Sequence, residues 1–301
     1  MDKFSALRAF VEVAETGGFS RAGRRLDLAA SSVVRAVDAL EASLGTVLLN
    51  RTTRQVTLSD AGAVYYARAK RLLDDLADAD ALVADRGDAP SGPLRVSVPV
   101  SYGSRCIAPH VAAFLARYPK VDLDMQLSDE RVDLVLDRID VAIRLGEAAP
   151  TADVVARRVG TFHRYVVASH DYLNAHGAPA TPGDLAEHAC LRFHFGIDQQ
   201  VWTFAGAHDT AKVRVTGRLR SNHIEVLYDA ALDGAGIALL PDWLVDPDIR
   251  SGRLRRLFDD YDATPDHARS VVTALYLPNQ RGSKRVTAFI DFVASLSDGR
   301  D

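Results

Sequence analysis

The sequence has little cysteine, little net charge and no long apolar run. Its two cysteines, Cys106 and Cys190, lie in no metal-ligand spacing, which argues against a disulfide scaffold and against a zinc site. No apolar run approaches the roughly 20 residues that a helix needs to cross a bilayer. The first residues lack the basic and apolar segments that are typical of a secretory signal. From these absences we expect a cytoplasmic protein with reduced thiols, no bound metal and no membrane contact.

Composition places the chain among ordinary globular proteins. Apolar residues make up 48% of the 301 residues and charged residues 25%, which excludes a collagen-like or wholly disordered chain. The net charge of −4 excludes a uniformly basic, histone-like binder but leaves room for a local basic patch. At roughly 100–200 residues per domain, the length predicts two or three domains.

The N-terminal part of the chain has the layout of a winged helix-turn-helix. Apolar residues at helical spacing predict a first helix over 3–15. Ser20 is a candidate N-cap of a short helix over 21–26, and a further helix over about 30–43 follows a tight break. Residues 47–58 then indicate a two-stranded ribbon, and a ribbon after a helix-turn-helix is typical of this DNA-binding fold.

A long helix is predicted from Ser59 to about Arg86, roughly 40 Å in length. Its apolar positions recur at alternating spacings of four and three residues, which is the heptad seam of a coiled coil. These positions are Tyr65, Ala69, Leu72, Leu76, Ala79 and Val83. We expect this seam to pair two subunits; the alternative is a helix that packs on its own chain.

After a segment rich in Pro and Gly, strands and helices alternate. The pattern predicts a helix over about 104–117, a short helix near 131–137 and an apolar strand over 141–145. This alternation is typical of a parallel α/β sheet with right-handed crossovers. A second α/β unit begins near Tyr165, and two such halves would form a cleft between them.

Several ordered motifs carry a resemblance to one family. They are Gly18-Phe19-Ser20-Arg21-Ala22, residues 31–37, Leu58-Ser59-Asp60-Ala61-Gly62, residues 140–146 and residues 230–241. With them the chain resembles the LysR-type transcriptional regulators along essentially its whole length. The resemblance implies an α/β fold class with a winged N-terminal domain and a periplasmic-binding-protein-like, two-lobed effector domain. It also implies a regulator that binds double-stranded promoter DNA as a dimer of dimers, a homotetramer. In such regulators a small molecule switches DNA bending and contact with RNA polymerase.

On this basis we predict three regions. They are a DNA-binding domain over 1–58, a linker helix and hinge over 59–89, and an effector domain over 90–301, whose lobe one takes about 90–162 and 268–301 and whose lobe two takes about 163–267.

Six arginines stand against three acids between Arg21 and Arg54, a local excess of positive charge that can neutralise phosphates. The first turns of the helix over 30–43 would face base edges, and the ribbon would reach phosphates or a narrow minor groove. The candidate DNA contacts are Ser20, Arg21, Ala30, Ser31, Ser32, Val34, Arg35, Arg51 and Arg54. Ser20 could instead serve only as a helix cap, and Arg24 and Arg25 could be phosphate contacts or plain surface charges.

Two positions depart from the family pattern. Ala29 stands where a hydroxyl residue often caps the recognition helix, so this cap is weak or is supplied otherwise. Val34 stands where a serine often precedes the recognition-helix arginine, and valine offers only apolar contact, for instance with a thymine methyl group.

A small anionic or polar-aromatic effector is expected at the carboxyl ends of the strands, where open α/β sheets bind ligands. The candidate effector contacts are Ser101, Tyr102, Ser104, Arg144, His194, Phe195 and Asn222, with His163, Arg164 and Arg192 as charge partners. Ser101 could instead cap a helix, His194 could be a core-edge histidine, and Arg144 could pair with Asp137 or Asp140.

Two other functions compete with this interpretation. An enzyme is disfavoured because the sequence contains no G-x-S-x-G, P-loop, H-E-x-x-H or G-x-G-x-x-G motif, so we expect no catalytic residue and no cofactor. A periplasmic solute-binding protein would share the cleft, but the helix-turn-helix pattern and the absence of a signal segment speak against it.

Overall fold

The chain divides into two compact units, Met1–Ala84 and Asp85–Asp301. The computed structural model describes residues 2–51, 55–84, 89–147, 153–194, 200–266 and 269–298. Each unit buries hydrophobic clusters of its own.

The first unit has the elements that the sequence predicts, in the predicted order. They are α1 (Lys3–Thr16), α2 (Phe19–Leu26), α3 (Ala30–Leu44), β1 (Leu49–Arg51), β2 (Val56–Leu58) and α4 (Asp60–Ala84). β1 and β2 pair antiparallel to form the wing. Phe10 and Val13 of α1 and Val33 and Val37 of α3 have no exposed surface, so these two helices enclose the core. The winged helix-turn-helix is thereby confirmed.

α2 begins earlier than the sequence predicts. Its N-cap residue is Gly18, whose carbonyl accepts the N–H of Ala22 at 3.0 Å. The first helical hydrogen bond therefore closes ahead of Ser20, which lies exposed in the first turn. The prediction that Ser20 caps this helix is wrong.

α4 starts as predicted and then packs differently along its length. Ser59 Oγ accepts the N–H of Gly62 at 2.9 Å, which makes Ser59 the N-terminal cap. Tyr65 contacts Phe10 with ring centroids 5.8 Å apart, and Ala69 is buried in the core of the first unit. Leu72 and Leu76 are 54% and 44% exposed. Tyr65 and Ala69 thus pack on their own chain, while Leu72 and Leu76 face outward.

Within its described residues, the second unit forms three sheets. Its strands are β3 (Gly92–Val98), β4 (Val121–Leu127), β5 (Val141–Leu145), β6 (Val155–Thr161), β7 (Arg164–Ser169), β8 (Cys190–Phe193), β9 (Gln200–Ala205), β10 (Thr210–Val215), β11 (Arg220–Ser221), β12 (Ile237–Pro241), β13 (Leu254–Leu257), β14 (Asp262–Pro265) and β15 (Val271–Tyr276). Its α-helices are α5 (Val100–Tyr102), α6 (Val111–Arg117), α7 (His170–His176), α8 (Ile224–Leu232), α9 (Asp242–Ser251) and α10 (Lys284–Asp298).

The strands assemble into two lobes. We call the sheet β4-β3-β5-β15-β6 with its helices lobe one, and the sheets β11-β8-β12-β7-β13 and β10-β9-β14 with theirs lobe two. The expectation of parallel sheets is wrong in part. β3 runs parallel to β4 and β5, but β15 is antiparallel to β5 and β6, and β7 is antiparallel to β12 and β13. Alternation along a strand sets which face is buried but not which neighbour the strand joins, so the sequence pattern could not predict these directions.

Two predicted helices also differ. The segment over 104–117 is not one regular helix: a π-helical turn, Gly103–Ile107, and a 3-10 turn, Ala108–His110, precede α6. Pro109 has no N–H to continue an α-helical ladder. The segment near 131–137 forms hydrogen-bonded turns, because the Asp133 carboxylate accepts the N–H groups of Val135 and Leu136 at 2.9 Å each.

Among the helices of the described residues, none is both long and apolar enough to span a membrane.

Gly62, in the first turn of α4, lies too close to the backbone of Leu48 for a side chain to fit. A Cβ atom at this position would lie 1.9 Å from the carbonyl oxygen of Leu48, which already accepts the N–H of Ser59. We expect Gly62→Ala to lower the free energy of unfolding by about 1–3 kcal/mol, although alanine favours helices. Urea denaturation followed by circular dichroism measures the effect. Gly282→Ala is the matched control, since no atom of the described residues lies within 4 Å of its added Cβ. Equal stability of the two variants would contradict the packing argument.

Candidate nucleic-acid interface and ligand cavity

α3 presents a polar face because its apolar face is buried. Val33, Val37 and Leu40 lie in the core, so helical geometry directs Ser31 and Arg35 outward. Arg35 is exposed and lies back over the first turn, where it donates to the Ser31 carbonyl and the Ser32 hydroxyl at 3.4 Å each. This end of the helix therefore carries a cation and two hydroxyl groups on one exposed surface.

The start of α3 lacks a side-chain cap. Its N-cap residue is Ala29, which makes no side-chain capping hydrogen bond, as the sequence predicts. Ala30 and Val34 are half-buried beside this end. N–H groups at a helix N-terminus attract anions such as phosphate oxygens.

Ser20 and Arg21 lie on the neighbouring helix α2, and both are exposed. Arg21 donates to the carbonyl of Gly17 at 3.0 Å. Arg25 contacts Glu12 at 2.8 Å, so its guanidinium already has a carboxylate partner. The pKa of Arg25 is raised because Glu12 accepts its hydrogen bond.

The wing is tied to α3 by carboxylates. Arg51 contacts Asp38 at 2.7 Å and Glu41 at 2.6 Å, and its guanidinium lies 5.0 Å from the ring centre of Phe19. Glu41 also accepts the N–H groups of Leu48 and Leu49 at 2.6 and 3.0 Å. Arg51 was predicted only as a DNA contact, and this bracing role was not predicted. Arg54 lies outside the described residues.

A cavity of about 430 Å³ opens between the two lobes. Its walls are formed by Pro99, Asp129, Arg131, Arg144, Leu145, Phe162, Arg164, Leu191, Phe193, His194, Gln200, Trp202, Ile224, Leu239, Pro241 and Pro265. Among the described residues, its lining carries three arginines and one aspartate, a balance that favours an anion. Its volume falls within the range of small-molecule sites, about 300–1,000 Å³.

The structure brings only part of the predicted effector set to this cavity. Arg144, His194 and Arg164 line it. Phe195 lies outside the described residues. The remaining predicted contacts do not line it: Ser101 and Tyr102 are buried elsewhere, Ser104 and Asn222 are exposed, and His163 and Arg192 are absent from its walls. Tyr102 is buried in the core of lobe one, and its ring also contacts Trp243 of α9, with ring centroids 5.7 Å apart.

Arg144 is held rigidly at the cavity wall. It donates to the carbonyls of Ser97, Ile143 and Glu130 at 3.3, 2.6 and 3.1 Å, and to the Ser97 hydroxyl at 2.9 Å. These partners differ from Asp137 and Asp140, which the sequence left open as an alternative pairing for Arg144. Burial lowers the pKa of Arg144, and Asp129 opposes this shift.

Arg164 has fewer partners. It donates to Ser270 Oγ at 2.7 Å, and its guanidinium lies 4.6 Å from the ring centre of Phe162. Burial lowers its pKa to about 10, and the nearby charges of Asp262 and Asp242 only partly compensate. A guanidinium in this position gains from an added anion.

Two polar groups of the cavity were not predicted from the sequence. Gln200 Oε1 and Trp202 Nε1 are buried and have no hydrogen-bond partner within the described part of the chain. Both residues belong to β9, a strand that was not predicted. The signal was the alternation of Trp202 and Phe204 with Val201 and Thr203, which is typical of a half-buried strand.

Outside the cavity, a clasp joins the lobes. Ser101 Oγ donates to Glu225 Oε1 at 2.6 Å, and Arg105 contacts the same carboxylate at 3.1 and 2.7 Å. Ser101 and Arg105 belong to lobe one and Glu225 to lobe two. Burial alone raises the pKa of Glu225, but the hydrogen bonds from Arg105 and Ser101 outweigh it and hold the pKa below its usual value.

Two family models match the chain. The model described as bacterial regulatory helix-turn-helix protein, lysR family, matches residues 4–63, and the LysR substrate binding domain model matches residues 87–297.

Similar proteins span almost the whole chain. The chain is 34% identical over 287 residues to the HTH-type transcriptional regulator CrgA of Neisseria meningitidis serogroup C, a match that covers 95% of this chain and 94% of CrgA. It is 35% identical over 285 residues to PtxR of Pseudomonas aeruginosa, with 95% and 90% covered. The solved structure of CrgA from Neisseria meningitidis matches with a TM-score of 0.61, 33% identity and 97% of each chain covered. For the full-length Vibrio cholerae virulence activator AphB, the TM-score is 0.62, the identity 28% and the coverage 98% and 99%.

The two acids that hold Arg51 differ in their partners, which yields a matched pair of variants. Glu41→Ala removes the acceptor of two backbone N–H groups and one ion pair, whereas Asp38→Ala removes one exposed ion pair only. We expect Glu41→Ala to lower the unfolding free energy by about 1–3 kcal/mol and Asp38→Ala by about 0–1 kcal/mol. Urea denaturation measures both. A larger loss for Asp38→Ala would show that Glu41 does not hold the wing.

The clasp predicts a pH dependence. Because the folded-state pKa of Glu225 lies below its ordinary value of 4.5, the clasp stabilises the second unit above that pH and loses this contribution as the pH falls through the folded-state pKa. We expect Glu225→Gln to unfold at lower urea than the parent protein at pH 7, with a gap that narrows as the pH falls below about 4.5. Asp229→Asn, an exposed residue of the same helix, is the control for the charge change. A gap that stays constant down to pH 3 would contradict the assignment.

Proposed function

The chain belongs to the LysR family of bacterial regulatory helix-turn-helix proteins, and from that premise we propose that paired copies of α3 bind two half-sites of promoter DNA while a small molecule in the interlobe cavity sets the regulatory state. The chain is a DNA-binding transcriptional regulator with an effector-binding domain. The observation that carries the proposal is the exposed polar surface at the start of α3, opposite the buried face of the same helix.

Each residue of this surface has a distinct role in the proposal. Arg35 contacts a guanine edge in the major groove with its two-pronged guanidinium. Ser31 and Ser32 donate to phosphates or base edges, and Ala30 and Val34 make apolar contact, with Val34 suited to a thymine methyl group. Ser20 and Arg21 contact the DNA backbone from α2. These roles are supported by exposure of the polar side chains and by the uncapped N-terminus of α3.

The two wing arginines have different roles in this proposal: Arg51 supports the wing, and Arg54 contacts DNA. Arg51 keeps the wing against α3 through Asp38 and Glu41, and it reaches a phosphate only by exchanging a carboxylate for it. Arg54 is proposed as a phosphate or minor-groove contact from its place in the sequence.

We propose that subunits pair through α4. Its exposed Leu72 and Leu76 continue the heptad seam beyond the part that packs on the first unit. A dimer of dimers, contact with RNA polymerase and a cytoplasmic location extend the same proposal from the family.

The effector in this proposal is a small anion. Support comes from the three arginines that line the cavity against a single aspartate, and from the desolvation of Arg144 and Arg164. The interlobe position lets a bound molecule contact both lobes, and a ligand that does so can shift the equilibrium between lobe arrangements.

Arg35 gives the direct test of DNA reading. We expect Arg35→Ala to weaken binding to the DNA upstream of the protein's own gene by about 1–3 kcal/mol, with a much smaller loss on a shuffled duplex of equal length and composition. Arg35→Lys, which keeps the charge but loses the planar fork, should retain binding to the shuffled duplex and lose part of the preference. Fluorescence anisotropy at fixed salt measures the affinities of the parent protein and both variants for the two duplexes. Equal losses of affinity on both duplexes would show that Arg35 contacts only phosphates.

A further inference from the structure

The chemistry of the effector can be narrowed further, on the premise of the proposed function that the interlobe cavity holds one. The cavity contains two arginines whose donors are used very differently. A guanidinium carries five N–H donors. Arg144 spends four hydrogen bonds on Ser97, Ile143 and Glu130, so it is a fixed charge with little left to offer a ligand.

Arg164 is in the opposite situation. It makes one hydrogen bond, to Ser270, and forms no ion pair with a carboxylate within the described residues. Arg164 lines the cavity, and its guanidinium lies 4.6 Å from the ring centre of Phe162, which also lines it. A desolvated cation with unused donors matches a carboxylate, which can accept two parallel hydrogen bonds from one guanidinium.

A second pair of groups lies on lobe two. Gln200 and Trp202 are two residues apart on β9, so their side chains leave the strand on the same side. Trp202 is 1% exposed, and its Nε1 donor and the Gln200 Oε1 acceptor lack protein partners among the described residues. Both atoms have almost no accessible surface in this structure, so a ligand reaches them only after the neighbouring side chains shift. Because a buried donor and a buried acceptor without partners are costly, a ligand that satisfies both gains affinity.

A hydroxyl group satisfies both with a single oxygen. It accepts from the indole N–H and donates to the amide oxygen, whereas a carbonyl group only accepts and an ammonium group only donates. The same cavity is lined by apolar side chains, among them Phe162, Phe193 and Leu239. A cavity of about 430 Å³ suits a single aromatic ring with its substituents better than a large cofactor.

We propose that the effector is a small aromatic hydroxy acid, whose carboxylate accepts hydrogen bonds from Arg164 and whose hydroxyl accepts from Trp202 Nε1 and donates to Gln200 Oε1. Arg144 adds attraction for the anion without gripping it. Different side chains thus recognise the carboxylate and the hydroxyl group of the ligand.

Calorimetric titration of the full-length protein with matched probes tests this proposal. The probes are 2-, 3- and 4-hydroxybenzoate, which vary the spacing of the two groups, benzoate, which lacks the hydroxyl, and phenol, which lacks the carboxylate. We expect one hydroxybenzoate isomer to bind about 5- to 100-fold more tightly than benzoate, since benzoate leaves both buried groups unpaired. Phenol should bind more weakly than the same isomer by about 10- to 100-fold.

Variants identify which side chain reads which group. Trp202→Phe keeps the ring and removes the donor, so it should lower the affinity for the preferred hydroxybenzoate towards that for benzoate and leave benzoate unchanged. Gln200→Met, on the same strand, should reduce the same discrimination and covers the case that the tryptophan variant fails to fold. Arg164→Gln should weaken both acids by about 10- to 100-fold and leave phenol unchanged.

Trp243→Phe is the matched control. The indole N–H of Trp243 is also buried without a partner among the described residues, but Trp243 does not line the cavity. This variant should keep full discrimination between hydroxybenzoate and benzoate.

Three results would overturn the proposal: benzoate binding as tightly as every hydroxybenzoate, unchanged discrimination in both Trp202→Phe and Gln200→Met, or no binding of any acid. Binding of the same protein preparation to its upstream DNA separates this failure from that of the proposed function. If DNA is bound specifically and the acids fail, only the effector class is wrong. If specific DNA binding is also absent, the proposed function falls with it.

Discussion

Burial of one face of α3 is the constraint on which the DNA-binding surface depends. Val33, Val37 and Leu40 are held in the core of the first unit, and the helical period then places Ser31 and Arg35 towards solvent. The wing takes its place from the same helix, because Glu41 near the C-terminal end of α3 accepts two backbone N–H groups at the start of β1 and an ion pair from Arg51. One helix thus organises both the major-groove surface and the wing.

In the second unit, the fixed partners of each arginine likewise determine which of them can bind a ligand. Its cavity contains a guanidinium whose donors are satisfied, Arg144, and one whose donors are largely unused, Arg164. The first supplies charge at a fixed place, and the second has donors left for a bound anion. The clasp of Ser101 and Arg105 on Glu225 joins the lobes outside the cavity, so the arrangement of the lobes depends on contacts that a ligand does not touch. Because these contacts hold the lobes in one arrangement, a ligand that favours another arrangement shifts the equilibrium between the two.

The sequence predicts the first unit well because its elements are local and periodic. The spacing of Phe10, Val33 and Val37, and the stop signals at glycines, are enough for α1 and α3. The seam of α4 was found, but periodicity cannot tell that Ala69 packs on its own chain while Leu72 faces outward. The Ser20 cap failed because Gly18 closes the first helical hydrogen bond sooner.

The cavity is less predictable for physical reasons. The directions of β7 and β15 depend on distant pairing partners, and Tyr102 was assigned to the cleft because a residue after a strand end was assumed to face the ligand. Gln200 and Trp202 belong to a strand that is 36 residues beyond Arg164 in sequence, and only folding brings them to one cavity. Arg144 and His194 were predicted because they lie at the carboxyl ends of recognisable strands, β5 and β8.

The central claim is that two copies of α3 read one promoter together, and a hydroxyl-radical footprint of the full-length protein on the DNA upstream of its gene tests it most directly. We expect two segments of the DNA backbone to be protected from cleavage, with centres about 10–10.5 base pairs apart or at a multiple of that spacing. A single protected segment, or uniform protection along the duplex, would contradict it.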